Sequence, residues 1–150
     1  MEPGKRQSVE KSHGLNRFLD AQQFDFDQAL SEIRNGRKRG HWMWYIFPQL
    51  RGLGVSEAST YFGLSGVLEA QAFLNHPVLG NRLILISNAL LHLNSDNALQ
   101  IFGSPDNMKL RSSMTLFSLI SGNSSVFHAV LVKFFDGEPD PKTLSLVTNS

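Results

Sequence analysis

A chain of 150 residues has the length of one domain and can bury roughly 70% of its unfolded surface without covalent staples. Hydrophobic residues make up 41% and charged residues 18%, as in ordinary globular proteins. No cysteine is present, which excludes disulfides, thiolate nucleophiles and cysteine-based zinc or iron–sulfur sites.

The net charge of +1 is uninformative, but its distribution is not. Between Arg34 and Arg51 stand five basic residues (Arg34, Arg37, Lys38, Arg39, Arg51) and no acid. The rest of the chain is acidic on balance, with nine basic and thirteen acidic residues. The positive charge is therefore local.

Residues 1–14 are polar, with Pro3 and Gly4 near the start, and are expected to form a flexible tail. They contain no apolar run of signal-peptide length, and no stretch of the chain approaches the ~18 apolar residues of a membrane span. The expectation is a cytoplasmic protein without a membrane segment.

A single helical domain is expected over 15–147. Leu15, Phe18 and Leu19 begin an apolar spacing. Asp25 is placed to cap a helix whose face is Phe26, Leu30 and Ile33, stopping at Gly36. The run Trp42 to Phe47 is short and aromatic, and Pro48 favours extended geometry at Phe47, so 41–49 reads as an extended segment. Gly52 and Gly54 suggest a turn.

Helical patterning then dominates. Ser56 caps a helix through Phe62, and Ser65 another through Leu74. Pro77 opens a helix to about Leu93 with Leu79, Leu83, Ile86 and Leu90 on one face. Asp96 starts a short helix ending at Phe102-Gly103. Ser104-Pro105-Asp106 reads as cap, first residue and first-turn acid of a helix to about Ile120. Ser124 to Phe135 is another, and Asp140-Pro141 opens a last one. The predicted fold is all-α, or mainly α: about seven or eight short helices with one extended aromatic segment.

The standard catalytic motifs are absent. There is no GxGxxG, phosphate loop, HExxH or GxSxG. His13, His41, His76, His92 and His128 show no metal-ligand spacing, so no metal or cofactor is expected.

Two segments attract attention. In the run from Arg37 to Gln49, cations stand beside aromatic rings. Lys38 suits a phosphate, while Trp42, Trp44 and Tyr45 can stack on a flat base beside Gln49. His41 belongs to the residue type that titrates near neutral pH and can act as acid or base. The alternative is that both tryptophans fill core and the basic run is a solvated helix end. The second segment runs from Ser104 to Ser113 and includes Ser112. A helix start offers free N–H groups to an anion. Asp106, Lys109 and Ser113 fall on one face, which Leu116 and Ile120 continue inward. The alternative is a surface Asp106–Lys109 pair of little energetic weight. Five charges in one stretch are too small a footprint for nucleic acid, which is not the expected partner.

Several segments resemble an uncharacterised bacterial family, domain of unknown function 1810. They are Ala21-Gln22, GRKRGHWMWYIFPQ at 36–49, HPVLG at 76–80, IFGSPD at 101–106 and KLRSSMTLF at 109–117. The resemblance spans about Leu15 to Leu146. It carries no established activity, and the calpastatin-like label given to some members implies no mechanism here. A weaker likeness links FLNHPVLGNRL at 73–83 and Ser104-Pro105-Asp106 to the NADAR superfamily, which handles ADP-ribose and related N-glycosides. The acidic residue that follows that family's aromatic motif has no counterpart here, where Gln49 and Leu50 stand. The likeness implies an N-glycosidase-like hydrolase, with His41 and Lys109 as candidate acid or nucleophile.

Two functions follow as expectations. One is binding or processing of a nucleotide-type small molecule between the two segments. The other is a non-catalytic interaction domain using Trp42 or Trp44 on an exposed surface. Nothing in the sequence sets the oligomeric state.

Overall fold

Glycine and capping polar residues set most helix ends in the computed structural model. It describes the backbone of residues 3–149 and the side chains of residues 14–149. The fold is all-α, with nine helices among the described residues: α1 (Pro3–Arg34), α2 (Met43–Ile46), α3 (Glu57–Phe62), α4 (Val67–Asn75), α5 (Leu79–Leu91), α6 (Ala98–Phe102), α7 (Asp106–Ser121), α8 (Val126–Phe135) and α9 (Pro141–Thr148). No helix among them is long and apolar enough to cross a membrane.

Several predicted boundaries move. Asp25 is not an N-cap, because α1 runs through it without a break. Phe18, Gln22, Phe26, Ala29 and Ile33 form one buried stripe at helical spacing across that position, so packing continues the helix. The Asp25 carboxylate instead accepts a hydrogen bond from the Tyr45 hydroxyl. From Pro3 onward the segment expected as a tail is helical backbone of α1, while Met1 and Glu2 lie outside the described residues. The 41–49 segment is not extended throughout. Met43–Ile46 form one helical turn, which ends where Phe47 leaves helical geometry (φ −120°, ψ 75°) ahead of Pro48.

Some ends fall where the side chains predict, and others shift by a residue or lose the expected cap. Ser56 accepts from the Ser59 amide and Asp140 from the Thr143 amide, each capping its helix. Gly36 adopts φ +82° just past α1, a conformation that suits glycine. The α6 cap is Asn97, one residue after the expected Asp96. Ser104 does not cap α7. The first turn there closes through Asn107 N–H donating to the Gly103 carbonyl at 2.9 Å, and Ser104 is left exposed.

Helices α5, α7 and α8 form the centre, with α1 and α4 packed on α5 and α9 on α7. A chain of rings threads the core. Phe18 meets Phe73 edge-on at 5.0 Å, Phe73 meets Phe117 at 5.8 Å and Phe117 meets Phe127 at 5.6 Å. Gly80 lets α4 and α5 approach: a Cβ there would lie 1.9 Å from the Leu74 carbonyl oxygen. The only bridge of β type among the described residues joins Leu50 to Leu64 and braces the chain after α2.

Candidate functional site

The site is built by a loop that one buried carboxylate holds in place. After α1 ends, the chain turns at Gly36, and Lys38 N–H donates to the Ile101 carbonyl at 2.8 Å, tying the loop to α6. Glu32 Oε1 accepts from the amides of Arg39 (2.8 Å) and Gly40 (2.9 Å) and from the indole of Trp42 (2.8 Å). Burial alone would raise the Glu32 pKa. The amides of Gly40 and Arg39 and the side chains of Gln28 and Trp42 overcome it and lower the pKa to about 2. A backbone loop, which would otherwise wander, is thereby fixed on an ionised group.

That loop faces the start of α7. Lys38 Nζ lies 2.8 Å from Asp106 Oδ2 and donates to the Gly40 carbonyl at 2.6 Å. Lys109 Nζ lies 2.9 Å from Asp106 Oδ1 and 4.0 Å from the centroid of the Trp44 ring. The Lys38 side chain is only 8% exposed. Burial opposes the charge on Asp106, but hydrogen bonds from Lys38 and Lys109 hold its carboxyl below the usual range. One carboxylate thus faces two ammonium groups, which leaves a surplus positive charge.

Lys38, His41, Met43, Trp44, Asp106 and Lys109 line a cavity of about 130 Å³. Trp44 and Lys109 also line a neighbouring cavity of about 310 Å³, whose other walls include Gln49, Leu53, Ser112, Asp140 and Lys142. His41 is exposed, and its ring makes no hydrogen bond among the described residues. The two segments singled out in the sequence therefore meet, with His41 and Lys109 on one cavity.

Larger hollows lie elsewhere. One of about 630 Å³ is lined by Val55 to Tyr61, a single stretch that brings in no basic residue. One of about 420 Å³ includes Lys133, but that ammonium is already committed to the Leu90, Leu91 and Leu93 carbonyls.

Not every expected residue reaches the cavities. Trp42 is 1% exposed, bonds Glu32 and packs against Phe47 and Phe102, so it is core. Tyr45 lies against Phe62 and bonds Asp25; burial and that carboxylate push its phenol above the usual range. Ser104 is exposed and Ser113 is sealed in the core with its hydroxyl unpartnered among the described residues; neither lines a cavity. Ser112 does, with its hydroxyl donating to Asp140 Oδ2 at 2.8 Å. Glu32, Asp140 and Lys142 were not foreseen. Only Asp140 carried a signal, as the cap of α9.

The chain belongs to the family described as protein of unknown function (DUF1810), whose model matches residues 12–147. It is similar to the crystal structure of the conserved hypothetical protein Rv1873 from Mycobacterium tuberculosis, with 43% identity and a TM-score of 0.87. The match covers 89% of this chain and 96% of that one. No curated protein matches the chain.

Proposed function

We propose that the chain binds a small nucleotide-type ligand. The anionic group lies in the cavity of Lys38, His41 and Lys109, and the remainder extends along Trp44 into the neighbouring cavity. The observation that carries this reading is Lys109. Its ammonium is shared between Asp106 and the Trp44 ring and borders both hollows. Three N–H donors serve one hydrogen bond to Asp106, so donor capacity remains for a phosphate oxygen. A cation beside an aromatic wall is the chemistry that phosphate with a flat ring requires. The interaction-domain reading has less support, because Trp42 is core and Trp44 lines a hollow.

The likeness to proteins that handle N-glycosides adds a reaction to test. In that version Lys109, which borders both cavities, would protonate the departing base as water replaces it on the sugar, with His41 as the alternative acid. Thermal melting with AMP and ADP-ribose, followed by product analysis, tests both levels. Bound ligand raises the melting temperature. Lys109→Ala is expected to abolish the rise, and no rise with either compound refutes the reading.

A further inference from the structure

Gln49 is 8% exposed and lines the larger of the two cavities. Its backbone carbonyl accepts from Leu64 N–H at 2.9 Å within the bridge that braces this stretch. Its side-chain amide makes no hydrogen bond to any described residue. Nor is the amide sealed off, since it is absent from the fully buried, unpartnered polar atoms, which are Asn107 Oδ1 and Ser113 Oγ. A mostly buried amide that has no protein partner and reaches a cavity can exchange water for a ligand's matching donor and acceptor.

An amide places one acceptor and one donor side by side. Its complement is a ring edge that carries a donor next to an acceptor, as adenine does at N6 with N7 or N1. Trp44, which borders both cavities, supplies an apolar wall beside that edge. Resting on the ligand reading above, we infer that Gln49 is the specificity-determining residue: it pairs with the base of a nucleoside monophosphate whose phosphate occupies the cavity of Lys38, His41 and Lys109.

Calorimetric titration of the wild-type chain with AMP, purine riboside 5′-monophosphate and ribose 5-phosphate tests this directly. Removing the 6-amino group deletes the ligand's donor and leaves the phosphate untouched. AMP is expected to bind about tenfold or more tightly than either other compound, the usual discrimination of one paired contact. Gln49→Met keeps the side-chain length. It is expected to erase the preference for AMP over the purine compound while leaving ribose 5-phosphate affinity unchanged. Equal wild-type affinities for AMP and the purine compound overturn the assignment, as does a folded Gln49→Met chain that still prefers AMP. If ribose 5-phosphate binds and the base makes no difference, only the role of Gln49 falls. If none of the three binds, the ligand reading itself falls with it.

Discussion

Lys38 and Lys109 share the two oxygens of Asp106, one each, at 2.8 and 2.9 Å. The sharing is unequal in consequence. Lys38 is nearly buried and also bonds the Gly40 carbonyl, whereas the Lys109 side chain keeps 20% exposure and a place on both cavities. The first lysine is structural in its contacts and the second is positioned for a ligand.

Replacing Lys109 with Ala should therefore cost little stability. Its pair with Asp106 is partly solvated, and its contact with Trp44 is worth about 0.5–1 kcal/mol. A urea melt should move by no more than about 1–2 kcal/mol, since both contacts are lost together. A larger loss would mean that the residue holds the fold instead.

Asp106→Asn should be far more damaging. It leaves the Lys38 ammonium nearly buried with no opposing charge, a situation that costs about 3 kcal/mol. Urea denaturation reads the difference. A second change, Lys38→Met, should recover much of the loss by removing the stranded charge.

Glu32 predicts a pH dependence. Its folded pKa is lowered from 4.5 to about 2, so the unfolded chain takes up this proton first as the solution is acidified. The contribution to stability is complete above pH 4.5, declines between 4.5 and about 2, and is gone below that. Glu32→Gln should lose about 2 kcal/mol at neutral pH, on the scale of buried hydrogen bonds to a charged group. It should also fall less steeply than wild type between pH 5 and 3. Parallel slopes for the two proteins in denaturant melts would refute the assignment.

Gly80→Ala should destabilise the packing of α4 on α5. A Cβ 1.9 Å from the Leu74 carbonyl oxygen cannot be accommodated without moving backbone, and overpacking of this kind costs about 1–3 kcal/mol. The melting temperature measures it, and ligand affinity should change little in the surviving folded fraction.

Local chemistry explains which features were legible in the sequence. Ser56, Asp140 and Gly36 mark helix ends through side chains or conformations that act within a few residues. Asp25 has the same chemistry, but long-range packing of Phe18 and Phe26 overrides it. The charge, the rings and the start of α7 mark Lys38, His41 and Lys109 in the sequence, and all three line one cavity. The division between the two tryptophans was not. Positions 42 and 44 flank the start of the α2 turn, where residues two apart project about 200° apart. One indole therefore enters the core and the other borders the cavity. Glu32 was invisible because its partners include loop amides that only the folded chain brings to it.

That division supplies an optical probe. The chain has two tryptophans, and only Trp44 stands at the cavity, with an ammonium beside its ring. Acrylamide should quench its emission selectively, since Trp42 is 1% exposed. Occupancy of the cavity can then be followed as protection from the quencher, without a label and at micromolar protein.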